Sequence, residues 1–279
     1  LRGRQPSVGP VKELETPPSR LSPAMLGILK NGRISSRELA ATLLDLARRG
    51  HLIIKHGYKN DFRFSRRQSN DRLEKFESAL LDQIFGPTDK ASDEEISFSL
   101  AQELFSQRVS QAFLLAYQRV NDLGFFITNP LRLHRRYQLT GLLLFTVGLI
   151  GLIANIILIS SLQYLVLFWG AMMISALLIT YVAKSIPIRT VFGDRELGRW
   201  LAFRNYLTNQ ETINYQAQSQ EKYLNYLPYA VVLDCEIEWT RRFYDLPFSS
   251  PHWYVSGGVN TIDEFANNVF PLFGYLSQA

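Results

Sequence analysis

The fold is decided by residues 137–183, YQLTGLLLFTVGLIGLIANIILISSLQYLVLFWGAMMISALLITYVA, which contain no Asp, Glu, Lys, Arg or His. A single helix of these 47 residues would be about 70 Å long, because an α-helix rises about 1.5 Å per residue. The hydrocarbon core of a bilayer is about 30 Å thick and needs about 20 residues per crossing. The block therefore predicts two transmembrane helices, at about 137–159 and 164–183, with a turn near Ser160–Gln163.

The residues that flank this block predict its orientation. Basic residues stand on both outer flanks of the block: Arg132, Arg135 and Arg136 precede it, and Lys184 and Arg189 follow it. The short predicted turn between the helices carries no charge. Loops rich in Lys and Arg stay in the cytoplasm. Both large polar regions, 1–136 and 184–279, are therefore expected on the cytoplasmic side of the membrane.

Small residues in the block predict how the two helices pack. Gly141, Gly148 and Asn155 recur every seven residues and so share one face of the first helix, and Ala171 and Ser175 form a small-xxx-small pair on the second. Small residues let helix backbones approach closely, and an amide can bond across the contact. Helix packing is the favoured interpretation of Asn155, and a transport path lined by it is the alternative.

The region before the block begins with a Pro-rich linker, residues 1–20, and then a compact module, residues 21–68. Ser22-Pro23 suits the start of a helix that ends at Asn31-Gly32. Ser35 and Glu38 form a capping box that opens a second helix. Two short β-type runs follow around a turn at 57–60. Helix, helix and β-hairpin are the elements of a winged helix, a variant of the helix-turn-helix.

A set of basic side chains on this module is the candidate contact surface: Arg48, Arg49, Lys55, Lys59, Arg63, Arg66 and Arg67. Residues 1–136 carry 22 basic and 15 acidic side chains. Such a surface suits phosphates of nucleic acid, anionic lipid, or a protein partner. Glu38 and Asp45 on the second helix would oppose a DNA backbone, so nucleic acid is possible but not favoured.

Two mainly helical regions complete the predicted domain organisation. Residues 69–136 form a helical cytoplasmic extension, and residues 184–279 form a mostly helical tail with an aromatic segment near Trp253 and Tyr254. The tail carries 8 basic and 10 acidic side chains, opposite in sign to residues 1–136. We therefore expect the two cytoplasmic regions to dock on each other.

The sequence lacks the usual patterns of catalytic and metal sites. One cysteine excludes an internal disulfide framework and a zinc site built from several thiolates. Cys235 lies between two acidic residues, which would raise its pKa, and the four histidines are not at metal-ligand spacing. No phosphate-binding loop or nucleophile elbow occurs. We expect no enzymatic activity, no metal and no cofactor.

Four stretches of the chain resemble one family. They are Gly3-Arg4-Gln5-Pro6; Pro17-Pro18 with Leu21–Ala24 and Ala40–Gly50; Gly198-Arg199 with Phe203-Arg204, Tyr206-Leu207 and Glu211; and Leu227–Ala230 with Trp239. In this order they are similar to the cytoplasmic and membrane half of the YciQ-like predicted bacterial membrane proteins (domain of unknown function 2207). The resemblance implies a signal peptide, an extracytoplasmic β-rich domain and one more membrane helix upstream of Leu1, and it assigns no reaction.

These observations together predict a mainly α membrane protein of the bacterial inner membrane, with several passes and its polar parts in the cytoplasm. Its parts are a winged-helix-like α+β module, a two-helix transmembrane hairpin and a mostly helical C-terminal region. The favoured function is a non-enzymatic scaffold that contacts the lipid bilayer and another protein through the basic hairpin or the aromatic tail. The alternatives are a membrane-tethered DNA-binding regulator and, third, a transporter subunit.

Overall fold

A computed structural model of the chain describes residues 13–57, 62–86, 95–97, 110–127, 130–158, 164–183, 189–209, 219–244 and 246–275. The described part is mostly helical with one small sheet, in agreement with the predicted class. Ten helices and four strands are assigned in these ranges.

The first two helices begin and end where local sequence signals place them. Helix α1 is Pro23–Asn31; the Ser22 hydroxyl accepts a hydrogen bond from the Met25 amide, and Gly32 ends the helix with φ 70°. Helix α2 is Ser36–Arg48, and the Ser35 amide donates to the Glu38 carboxylate at 2.7 Å. These caps satisfy backbone groups that have no partner within a helix, so both predicted helices are confirmed.

A four-stranded sheet follows, in the order β3-β2-β1-β4. Strands β1 (Leu52–His56) and β2 (Phe62–Arg66) form the predicted antiparallel hairpin, and β3 (Ile96–Ser97) extends it beside β2. Strand β4 (Tyr254–Ser256) lies parallel to β1 on the other side. The sheet therefore joins residues from both sides of the apolar block.

The remaining helices complete the fold. They are α3 Lys75–Phe85, α4 Ser110–Asp122, α5 Pro130–Leu158, α6 Leu165–Ala183, α7 Val191–Thr208, α8 Gln220–Val232, α9 Glu236–Arg241 and α10 Ile262–Tyr275. Two of them, α5 and α6, are long and apolar. In the predicted helical extension, residues 69–136, helix α4 is described only from Ser110, because residues 98–109 lie outside the described ranges.

The winged-helix interpretation of residues 21–68 is not confirmed. The predicted order of two helices and a hairpin is present, but α2 packs against α8 and α10, and β1 pairs with β4. Every residue from Glu38 to Ala47 on α2 is buried. A helix that reads a DNA groove must expose one face. The segment is therefore an inner part of a larger domain.

One hydrophobic core extends through both polar regions. It includes Leu26, Leu43 and Phe64 from before the apolar block, and Trp200, Trp239 and Phe265 from after it. Burial of apolar surface is the main favourable term in folding. The predicted docking of the two regions is confirmed, and they share a core rather than a surface contact alone.

Charges reinforce this docking at the end of helix α8. The Lys30 ammonium donates to the Val232 carbonyl at 2.7 Å and lies 2.5 Å from Asp234, and the Arg37 guanidinium donates to the Val231 carbonyl at 2.8 Å. The last carbonyls of a helix lack partners within the helix and carry partial negative charge. Two cations from α1 and α2 therefore stabilise the C-terminal end of α8.

The chain leaves for the apolar helices and returns from them at one place, which we call the stem, residues 124–127 and 189–193. Phe126 and Arg189 form an antiparallel β-bridge, and the Thr190 amide donates to the Phe125 carbonyl at 2.9 Å. The partly buried Arg189 guanidinium donates to the carbonyls of Leu29 and Lys30 at the end of α1. The two ends of the apolar segment are thus held side by side on the domain.

Helices α5 and α6 pack against each other and have few contacts with the rest of the protein. Leu139–Ile157 on α5 is long and apolar enough to cross a membrane, and only 17% of its most apolar window is buried. The apolar part of α6, Leu165–Tyr181, is shorter than that length. By length and composition the described residues thus contain one of the two predicted spans, and the second is not confirmed.

The described part of the predicted N-terminal linker lies on the domain. Leu14 packs against the core, the Trp200 indole donates to the Ser19 hydroxyl at 3.3 Å, and the Asn209 amide donates to the Glu13 carboxylate at 2.9 Å. Residues 1–12 lie outside the described ranges. Residues 13–20 are therefore a strap across α7.

We predict that Gly193→Ala destabilises the domain by about 1–3 kcal/mol, the usual effect of overpacking. A Cβ at Gly193 would overlap the Phe125 carbonyl oxygen, because α7 crosses the stem backbone there. The measurement is the thermal unfolding midpoint of the full chain in detergent.

Gly257→Ala is the matched control, since a Cβ there meets no atom within 4 Å. We expect it to change stability by less than about 0.5 kcal/mol. Equal midpoints for the two variants would show that the stem backbones are not in close contact.

Candidate functional site

The solvent-facing side of the sheet contains two of the predicted contact residues, Lys55 and Arg63. We call this side the hairpin face, and it consists of Ile53, Lys55, Arg63, Ser65 and Val255. Register pairs Lys55 with Arg63 and with Val255, so the three lie in one row across the sheet. Alternate side chains point to opposite faces of a sheet. The neighbouring row, Ile54, Phe64 and Tyr254, is accordingly buried in the core.

Acidic Glu95 lies between the cations of the hairpin face. Its carboxylate bonds to the Lys55 ammonium and lies 3.7 Å from the Arg63 guanidinium. The hydrogen bond from Lys55 holds the pKa of Glu95 below its usual value. An exposed pair of this kind contributes little to stability, and it lowers the positive charge that the hairpin alone would present. The hairpin face therefore combines positive and negative charge with an exposed apolar side chain, Val255, at its edge.

The other predicted contact residues are mostly used inside the domain. Arg48 bonds to Asp45 at 2.8 Å and to Asn225 at 2.9 Å. Arg66 bonds to Asp82 and to the Gly86 carbonyl, both at 2.8 Å. Arg67 is exposed. Lys59 lies outside the described residues. The six of these basic residues that the structure describes therefore do not form one open patch.

Arg49 is the centre of an ion cluster that joins α2 to α3. Its guanidinium donates to Asp71 at 2.5 Å and to the buried Glu77 at 2.9 Å, and Asp45 lies 3.5 Å away. Burial raises the pKa of Glu77, and the hydrogen bond from Arg49 lowers the pKa of Asp71. A half-buried cation surrounded by three carboxylates is a structural link, which explains why Arg49 has little capacity for an external phosphate.

The aromatic tail proposed as a second contact surface lies inside the domain. Phe248, Trp253, Tyr254 and Phe265 are buried, and the rings of Tyr254 and Phe265 are 5.0 Å apart in an edge-to-face contact. Aromatic pairs of this geometry stabilise protein cores. The tail aromatics thus hold β4 and α10 in place and leave little apolar surface for a partner.

The two apolar helices contact each other through small residues on α5 and larger ones on α6. Gly141 lies against Thr180 and the Ala176 carbonyl, Gly148 against Met173, and Gly151 against the Trp169 ring. The residues of α6 recur at intervals of three and four, the spacing of one helix face. Residues early in α5 meet residues late in α6, so the two helices run antiparallel.

The predicted packing residues fall on two different faces. Gly141, Gly148 and Asn155 are buried. Ala171 and Ser175 are exposed, and the Ser175 hydroxyl donates to the Ala171 carbonyl one turn back in the same helix. The small pair on α6 is therefore not part of the contact. Gly151 on α5 and Ala176 on α6 do contribute to the contact. The sequence pattern does not single them out, because both helices are apolar on every side.

Groups that could carry chemistry are few within the described ranges. No cluster of three or more His, Cys, Asp or Glu side chains that could hold a metal occurs among those residues. Burial raises the pKa of the Cys235 thiol to about 12, with its acidic neighbour Glu236 adding to the shift. Such a thiol is a weak nucleophile at neutral pH. The absence of enzymatic activity stays a prediction.

Comparison with known families agrees with this architecture. Residues 12–243 match the family model described as "Predicted membrane protein (DUF2207) C-terminal domain". The chain belongs to the DUF2207 family. No curated protein and no solved structure matches the chain.

The family match confirms the resemblance found in the sequence and makes the chain a member of a family of predicted membrane proteins. The DUF2207 match covers both sides of the apolar helices and ends at residue 243, before β4 and α10. These two elements nevertheless contribute a strand to the sheet and side chains to the core.

We predict that Gly141→Leu separates the helices of this DUF2207 domain and lowers stability by about 1–3 kcal/mol, because the added side chain must displace Thr180 or the α6 backbone. Ala171→Leu is the matched control, since Ala171 is exposed on α6. The measurement is the thermal midpoint in detergent; a larger loss for Ala171→Leu would show that the helices pack through the other face.

A second prediction concerns pH and the buried His51. Burial, assisted by the nearby Arg49, lowers the pKa of His51, so the folded chain keeps this imidazole neutral. The unfolded chain binds a proton near the ordinary pKa of about 6.5. Neutral His51 therefore makes its full contribution to the free energy of unfolding above about pH 6.5. This contribution is lost as the pH falls through the lowered pKa that His51 has in the folded state.

His51→Gln should reduce the loss of unfolding free energy between about pH 7 and about pH 5, as measured by chemical denaturation. Replacement of the exposed His252 by Gln controls for the removal of an imidazole. An unchanged pH slope in His51→Gln would contradict the assignment.

Proposed function

We propose that the chain is a membrane-anchored interaction protein that crosses the bilayer twice and carries one folded domain on the cytoplasmic side. The single observation that carries the proposal is the stem, where Phe126 and Arg189 are bridged. A segment that leaves a folded domain and returns to the same domain crosses the membrane an even number of times. One crossing would put the two halves of the core on opposite sides.

The surfaces of α5 and α6 support a lipid environment for both. Large apolar side chains point away from the helix pair and are exposed on both helices, including Leu142, Ile150, Ile157, Leu167 and Leu177. Contiguous apolar surface of this extent is rare on soluble proteins. A shorter second span can be accommodated by local thinning of the bilayer or by flanking residues that reach the interface.

Charge supports the cytoplasmic side and, with the family resemblance, the bacterial inner membrane. The flanks of the apolar segment carry Arg132, Arg135, Arg136 and Lys184, while the turn between the helices is uncharged. Positive flanks favour the cytoplasm. The domain would then lie where cytoplasmic partners reach it.

The hairpin face is the surface that we propose for a partner protein. Lys55 and Arg63 are partly exposed there, and Val255 is 50% exposed. Interfaces commonly combine an apolar centre with a polar rim. The role is that of a scaffold held at the membrane and without catalysis of its own.

The alternatives have less support. A DNA-binding regulator would read its site through α2, whose residues from Glu38 to Ala47 are all buried. A transporter subunit would line a path with Asn155, which is buried between the two apolar helices. Duplex binding by the full chain that falls steeply with salt would favour the regulator.

We predict one outcome for cysteine labelling in sealed inverted membrane vesicles. In a Cys235→Ala background, Gln68→Cys and Ser250→Cys lie before and after the apolar helices at exposed positions, and Gln163→Cys lies between α5 and α6 in the sequence. A membrane-impermeant maleimide added outside should label positions 68 and 250 but not 163, because one domain faces the outside of such vesicles.

Detergent-permeabilised vesicles are the control, in which all three cysteines should react. Labelling of only one of positions 68 and 250 in sealed vesicles would mean an odd number of crossings and would contradict the proposal. Labelling of all three would mean that the helix pair does not cross.

A further inference from the structure

An exposed apolar patch lies on the stem, outside the two apolar helices. Ile127 is 67% exposed, Val191 79% and Phe192 55%. The Phe192 ring stacks on the buried Phe125 with their centroids 5.5 Å apart, and Phe192 nevertheless remains largely exposed. Large apolar residues exposed so fully, all within the stem, indicate a contact that the isolated chain does not contain.

The position of this patch identifies what covers it. Ile127 stands three residues before α5 begins at Pro130, so it lies within about 11 Å of the start of that helix. The Phe126–Arg189 bridge and the Thr190–Phe125 hydrogen bond bring Val191 and Phe192 to the same place. The patch thus lies beside the basic first two turns of α5, which contain Arg132, Arg135 and Arg136 and precede the apolar surface of the helix pair. Basic residues next to a membrane span lie at the level of the headgroups.

The charges around the patch also suit a lipid surface. Asp194 in the first turn of α7 lies 3.7 Å from the partly buried Arg189, so its negative charge is partly balanced. Arg195, one turn after Val191 and Phe192, is exposed. The N-terminal end of α7 carries partial positive charge. Anionic headgroups would meet cationic groups beside the apolar side chains.

We propose that Ile127, Val191 and Phe192 insert into the interface of the bilayer that holds the helix pair, so that the domain rests on the membrane in one orientation. This inference rests on the proposed membrane anchor and goes beyond it, because an anchor with a free domain needs no such contact. Interfacial side chains enter about 5–10 Å into the headgroup and acyl boundary. The occupant of the patch is therefore lipid rather than a second protein.

The test places an environment-sensitive fluorophore on single cysteines of the full chain in a Cys235→Ala background. The protein is reconstituted in vesicles of phosphatidylethanolamine with a minority of phosphatidylglycerol, with lipids that carry a quencher high on the acyl chain. At Val191→Cys we expect about twofold quenching by these lipids and protection from aqueous iodide. Ile127→Cys, also exposed, is the second position and should behave alike.

Two controls separate this inference from the anchor. Val255→Cys on the hairpin face is an exposed apolar position away from the stem and should be quenched by iodide and not by lipid. Leu177→Cys on the outer side of α6 reports the anchor and should be quenched by lipids with a deep quencher.

Each result decides the inference. Quenching by lipid at 191 and 127 but not at 255 supports it. Iodide quenching at 191 and 127 with lipid quenching at 177 leaves the anchor intact and overturns the inference. Equal lipid quenching at 191 and 255 also overturns it, because the contact is then not confined to the stem. Loss of lipid quenching at 177 overturns the anchor and, with it, this inference.

Discussion

The stem is the constraint on which the rest of the structure depends. Phe126 and Arg189 form a β-bridge that holds the two ends of a segment of more than sixty residues side by side on the domain. Arg189 extends this closure to α1 by donating to the carbonyls of Leu29 and Lys30. The stem therefore holds the segment before the apolar helices and the segment after them against the same domain, whose core contains residues from both sides of those helices.

Several basic side chains in the described part of the chain act within the fold. Arg49 holds α2 to α3, Arg66 holds β2 to the end of α3, and Lys30 and Arg37 hold α1 and α2 to the end of α8. Each binds carboxylates or the carbonyls at a helix terminus, where positive charge is favoured. An excess of positive charge in the sequence is thus a poor guide to a nucleic-acid or lipid surface.

Local features were predictable from the sequence and non-local ones were not. The caps at Ser22, Gly32 and Ser35 depend on neighbours within a few residues, so their patterns are sufficient. The pairing of β4 with β1 joins residues about 200 positions apart, and no local pattern encodes it. The contact face of α6 was missed because an apolar helix has no polar side to mark its orientation. Gly193 at the stem was missed because its role depends on the Phe125 backbone.

The most direct test of the account is to excise the apolar segment. Replacing residues 128–188 by about four Gly and Ser residues is geometrically possible, since bridged residues lie only about 5 Å apart at Cα. The account predicts a folded chain that is soluble without detergent, unfolds cooperatively and protects the Thr190 and Ile54 amides from hydrogen exchange. An excised chain that stays unfolded, while the full chain in detergent protects the same amides, would contradict the claim that one domain closes at the stem.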